Sequence, residues 1–144
     1  MIVVVDTNIL FSACLSPNNK ISEILFNPLL NVERISCYYA IAELFRHQEK
    51  LIKSSKQSAD KLSRVLYTIM KQIDFFQESI IDERFVQEAA RLTADIDEDD
   101  LLFVALALQK DAWLWTGDKK LVAHLNKMGF NRTIATGELF ERLV

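Results

Sequence analysis

The sequence predicts an α/β fold built on a mostly parallel sheet, on three observations. The chain has 144 residues, 50% of them hydrophobic and 26% charged, which is the size and balance of one globular domain, 1–144, with a sizeable core. Apolar β-branched or aromatic runs alternate with stretches of helical periodicity along the whole length, the pattern of βαβ units. The first of these runs, Ile2 to Val5, is unbroken rather than alternating, as befits a strand buried on both faces at the centre of a parallel sheet.

Asp6-Thr7-Asn8 follows that strand with three helix-capping residues, so Ile9 to Ala13 reads as a helix. Pro17-Asn18-Asn19 breaks it, and Ser22 to Phe26 forms a second short helix stopped by Asn27-Pro28. Arg34 to Tyr39 reads as the next strand. Ala40 to Lys53 and Ser58 to Ile73 place apolar residues at helical spacing, with Leu62, Val65, Leu66, Ile69 and Met70 in one stripe, and read as a helical hairpin. Asp74 to Ile81 holds a short strand and Arg84 to Leu92 a helix. Asp97 to Asp100 then opens Leu101 to Leu108, a helix apolar nearly all round and so buried. Ala112 to Thr116 is a strand, Lys119 to Met128 a helix closed by Gly129, and Arg132 to Thr136 a last strand before a short terminal helix.

Several function classes drop out early. Gly117, Gly129 and Gly137 are the only glycines, so neither a G-x-G-x-x-G turn nor a G-x-x-x-x-G-K-[ST] phosphate loop can be written. Cys14 and Cys37, without a C-x-x-C and with only His47 and His124 for company, do not make a structural zinc site. They read as small buried residues of a reducing, cytoplasmic protein. The apolar opening gives way to Asp6 too early for a signal peptide or membrane span. The net charge of −3 argues at first against a partner held by many phosphate contacts.

Ligands of open parallel sheets bind at the carboxyl ends of the strands, and acids gather there. Asp6 directly follows the first strand, Glu43 lies in the first turn of the helix after the second, and Asp118 comes three residues after Trp115. Asp100, opening the buried helix, faces the same edge. Such a cluster is unfavourable when empty, because like charges raise one another's pKa. A hard divalent cation, Mg²⁺ or Mn²⁺, relieves it through carboxylate and water oxygens. Two such ions roughly 3.5–4 Å apart are the usual arrangement for attack of water on a phosphodiester. Each acid also has an ordinary structural use: Asp6 and Asp97 as helix caps, Asp100 in a capping box, Glu43 paired with Arg46 or His47, and Asp118 in a turn. Those uses would have to coincide at one sheet edge.

With these residues in view, the chain resembles the PIN-domain family of ribonucleases, which includes the toxin halves of many prokaryotic toxin–antitoxin pairs. The matching text is Val3-Val-Val-Asp6-Thr-Asn8, Glu43-Leu-Phe-Arg-His47, Ile96-Asp-Glu-Asp-Asp100 with its apolar helix, and Trp115-Thr-Gly-Asp118. The resemblance implies a three-layer sandwich around a parallel sheet of four or five strands. It also implies Mg²⁺- or Mn²⁺-dependent endoribonuclease activity leaving 5′-phosphate and 3′-hydroxyl ends. Asp6, Glu43, Asp100 and Asp118 fall on the family's acids, with Asp6, Asp100 and Asp118 as metal ligands. Asp100 is preferred to Asp97 and Asp99 because it stands seven residues before the family's alanine, here Ala107; Asp97 is next in line as a substitute or supporting ligand.

Asn8 and Thr116 are expected to orient Asp6 and Asp118, and His47 to hold Glu43 or contact substrate. Trp113 and Trp115 read as core, and Lys119 and Lys120 as rim residues able to meet phosphate. The family further implies an RNA substrate, a small antitoxin partner and a homodimer, with no membrane. A PIN-like module that binds RNA or protein without cutting is the alternative. An aspartate-phosphorylated receiver or phosphatase fits less well, since Asp6-Thr-Asn8 lacks a second nearby acid.

Charge is unevenly placed. Residues 46–71 carry seven Lys and Arg against two acids, while 74–118 carry twelve acids against three cations. Part of the acidity is thus the expected metal site itself. The segment from Arg46 to Lys71, with Lys50, Lys53 and Lys56, is a candidate surface for RNA backbone.

Overall fold

The computed structural model describes residues 1–15 and 19–144, so Pro17 and Asn18, expected to break the first helix, lie outside the described residues. Five parallel strands form one sheet in the order β3-β2-β1-β4-β5: β1 (Ile2–Val5), β2 (Glu33–Cys37), β3 (Asp74–Phe76), β4 (Trp113–Trp115) and β5 (Thr133–Ile134). Val3, Val4 and Val5 are fully buried, because β1 is the central strand and helices cover both faces. The chain first builds outward from β1 to β2 and β3, then returns to lay β4 and β5 on the other side. The order therefore reverses between β1 and β4.

Helices α1 (Thr7–Leu15), α2 (Lys20–Phe26), α3 (Tyr38–Arg46), α4 (Gln48–Ser55) and α5 (Ala59–Met70) occupy the first half. They are followed by α6 (Glu83–Leu92), α7 (Leu101–Gln109), α8 (Lys119–Lys127) and α9 (Thr136–Leu143). Helix α7 packs on α6 and on β1, β2 and β4, and Phe103 through Ala107 are all buried. This explains why its sequence has no polar face. No helix among the described residues is long and apolar enough to cross a membrane. Cys14 and Cys37 are free and buried, and burial pushes their thiols up to about 11 and about 12.

Several boundaries differ from the sequence reading. The second strand stops at Cys37, and Tyr38 and Tyr39 open α3 instead. The continuous helix expected over Ala40 to Lys53 is two helices, broken at His47 (φ −103°, ψ 19°). The break lets α3 and α4 both pack on α1 while burying Leu44 and Leu51. The short strand expected within Asp74 to Ile81 is Asp74–Phe76, and a 3₁₀ turn at Glu78–Ile80 follows. The last strand is limited to Thr133–Ile134, because Thr136 already belongs to α9. Gly129, at φ 95° just beyond α8, occupies the left-handed conformation that ends a helix most easily at glycine.

Candidate active site

The reversal between β1 and β4 leaves a crevice at the strands' carboxyl ends, where open α/β sheets take their ligands. Asp6 leaves β1 there and its amide donates to the Trp115 carbonyl at 3.1 Å, tying the two strand ends together. Asp6 is 6% exposed. The Thr116 hydroxyl donates to Asp6 Oδ2 at 2.7 Å and accepts from the Asp118 amide at 3.1 Å. Asp118 caps α8, its Oδ1 accepting from the amides of Lys120 and Leu121 at 3.0 and 3.1 Å. Glu43, on α3, accepts from the Thr7 hydroxyl at 2.7 Å through Oε1. Glu43 and Asp118 thus each have one oxygen held by donors and one without a protein partner among the described residues. Asp100 ends a 3₁₀ turn (Glu98–Asp100) immediately before α7, rather than sitting inside the helix.

These acids share one open pocket of about 360 Å³, lined by Asp6, Glu43, Asp97, Asp99, Asp100 and Asp118. Phe11 and Ser12 of α1, His47 at the α3–α4 break and Lys50 of α4 line it as well. An adjoining hollow of about 260 Å³ brings Lys120 beside Asp97, Asp100 and Asp118. Burial, then the charges of Asp6, Asp97, Asp118 and Glu43, push the Asp100 carboxyl up to about 7. Burial also raises Asp6, with the Asp118 charge adding to it and the Thr116 hydrogen bond opposing. Glu43 is raised by burial and by Asp99 and Asp6, against the Thr7 hydrogen bond.

The donor chemistry suits a hard cation: carboxylates that repel one another and resist ionisation in its absence. Among the described residues, no three Asp, Glu, His or Cys side chains form a group able to hold a metal as they stand. The acids line the pocket without forming a finished coordination cage.

Other expected residues fall as follows. Thr116 orients Asp6 directly and meets Asp118 through its backbone, whereas Asn8 accepts from the Gly117 amide at 3.5 Å instead of donating to Asp6. Thr116 thus reaches both acids, while the Asn8 side chain bonds neither carboxylate. His47 is exposed at the α3–α4 break, and its amide, not its ring, bonds the Glu43 carbonyl at 3.1 Å. Asp97 caps the 3₁₀ turn through the Asp99 amide at 3.0 Å. Trp115 is fully buried and its indole donates to Thr136. Trp113 is half-buried with Arg132 and Arg142 against its ring.

Two residues that hold the acids, Thr7 and Tyr39, carry no signal of that role in the sequence. Thr7 was visible only as a cap. Tyr39 reads as the end of a strand, yet its hydroxyl donates to Asp99, the acid that the spacing to Ala107 ranks below Asp100. A run of four acids next to a predicted turn was the only sequence signal for Asp99.

The fold and the pocket define an open parallel α/β protein with an acidic site at its topological switch point. The family sequence model described as PIN domain matches residues 4–134, and the chain belongs to the PIN-domain family. No curated protein matches the chain in sequence. Among solved structures it is similar to VapBC2 from Rickettsia felis, bound to a DNA fragment from the promoter, at 17% identity and TM-score 0.71, over 94% of this chain and 98% of that one. VapBC-1 from nontypeable Haemophilus influenzae is similar at 18% identity and TM-score 0.63, over 95% and 99%. PAE2754 from Pyrobaculum aerophilum is similar at 17% identity and TM-score 0.64, over 98% and 88%.

Proposed function

We propose that the chain is a Mg²⁺- or Mn²⁺-dependent endoribonuclease that hydrolyses RNA phosphodiester bonds as the toxin of a toxin–antitoxin pair. One observation carries the reading: Asp6, Glu43, Asp100 and Asp118, from four separate segments, line a single pocket at the β1/β4 switch point. Family membership supports it. Asp6, Asp100 and Asp118 would hold the cation, and Glu43 would complete the acidic wall. When bound, the ion would polarise a phosphoryl oxygen and lower the pKa of a water for in-line attack. Thr116 and Thr7 hold Asp6 and Glu43 so that each presents its carboxylate in a fixed direction. Likeness to VapBC2 and VapBC-1 supports a small antitoxin partner, and a homodimer completes the proposal, checked by light scattering.

The test is cleavage of single-stranded RNA with and without EDTA. EDTA abolishes cleavage, and Asp6→Asn lowers kcat by about a hundredfold or more, the scale of several kcal/mol of lost charge stabilisation. Equal cleavage after EDTA, or full activity of Asp6→Asn, sinks the proposal. The acids do not close into a finished cage, which favours a second reading, a PIN-like module that binds RNA or protein without cutting. Calorimetric metal binding without turnover on several RNAs would select it.

A further inference from the structure

We propose that Lys50 is a substrate-binding residue of the pocket, a cation that grips a backbone phosphate in the space it shares with the carboxylates. The proposal rests on the nuclease reading above for the identity of its ligand. Residues 46–71 are rich in lysine and arginine, yet the fold does not use them alike. Arg64 pairs with Asp60 at 3.4 Å, and the Lys71 ammonium lies 5.2 Å from the centre of the Tyr67 ring. Lys50 alone of the lysines in that segment lines the acidic pocket among the described residues. It sits one position before Leu51, which is fully buried, on a helix packed against α1.

Its ammonium stands 5.8 Å from the centre of the Phe11 ring, so an aromatic face from α1 steadies the end of a long, exposed side chain. Among the described residues Lys50 makes no ion pair. The acids take their hydrogen bonds from Thr7, Tyr39, Thr116 and backbone amides. A cation that lines the acidic pocket without pairing to any of its six carboxylates keeps its charge for an anion that enters there. Phosphate fits that position, because lysine binds it as a point charge without needing a set orientation. An anchor that grips substrate and transition state equally acts on KM rather than kcat.

Binding of a labelled single-stranded RNA oligonucleotide to the whole chain, followed by anisotropy in EDTA across a salt series, tests this apart from cleavage. Lys50→Ala and Lys50→Gln are expected to weaken binding roughly five- to tenfold at low salt and to reduce the salt slope by about one. Lys50→Arg keeps the parent slope. Lys127→Ala, which removes an exposed charge on α8 away from the pocket, stays within about twofold of the parent. Where the chain cuts RNA, Lys50→Ala raises KM by a similar factor and leaves kcat within about twofold. An unchanged salt slope, a loss no larger than that of Lys127→Ala, or a parent chain that does not bind the oligonucleotide overturns the proposal. RNA cleavage with a KM indifferent to Lys50 overturns it while the nuclease reading stands; RNA binding without cleavage leaves the anisotropy arm to decide.

Discussion

Thr116 joins two of the pocket's acids through a single oxygen, donating to Asp6 and accepting from the Asp118 amide. Because Thr116 is 1% exposed, Thr116→Val leaves a buried carboxylate without its donor. The variant is expected to lose about 1–3 kcal/mol, read from urea unfolding in EDTA. Asp100 sets a pH dependence of stability. Its carboxyl is raised to about 7, so between the ordinary carboxylate range and pH 7 the folded chain holds a proton that the unfolded chain has released. That contribution is complete at low pH and is lost as pH rises through 7. Without metal, Asp100→Asn is therefore expected to gain stability over the parent at pH 8, by about 1–2 kcal/mol after solvent screening, and the gain shrinks towards pH 4. A difference that stays constant from pH 4 to 8 in thermal melts contradicts this assignment. Asp6, Asp118 and Asp100 were legible by position, the first two just after a strand and the third just before a helix. Glu43, expected in a first helical turn, is instead the sixth residue of α3, because that helix already starts at Tyr38. Thr7 and Tyr39 were not legible, since their bonds to Glu43 and Asp99 join residues 36 and 60 apart, and no local pattern carries a partner at that distance.

Helices show where periodicity informs and where it misleads. In α7 the absence of a polar face correctly implied burial, because an all-round apolar helix has nowhere else to go. Ala105 and Ala107 are buried against neighbouring elements, so Ala105→Leu is expected to cost about 1–3 kcal/mol by overpacking, measured by denaturant midpoint. Periodicity failed at His47, where no proline or glycine marks the break between α3 and α4. The apolar spacing continues across it, and only the need to lay both helices on α1 divides them. Leu51 anchors α4 at 0% exposure; Leu51→Ala is expected to cost about 2–5 kcal/mol and to loosen the wall that carries Lys50. Strand boundaries shifted for a related reason: Tyr39 has strand propensity, but its amide donates to Glu78 Oε1 at 2.6 Å, and that tertiary contact helps hold it in the first turn of α3.

The parallel sheet was legible in the alternation of strands and helices, while its order β3-β2-β1-β4-β5 was not. Strand order depends on which edges meet after distant segments fold. The same distance governs the molecule as a whole. The Thr116–Asp6 bond spans 110 residues, so contacts at the pocket form only when both sides of the sheet are present. A fragment of residues 1–111 lacks β4 and Asp118 and leaves the buried edge of β1 open; circular dichroism melting is expected to show no cooperative transition. The reversal between β1 and β4 also imposes a timetable. A ribosome delivers Asp6 first and Asp118 only after the intervening strands and helices, so a growing chain cannot display the full set of acids early. An unfinished copy therefore lacks the complete acidic pocket until its last third has been made.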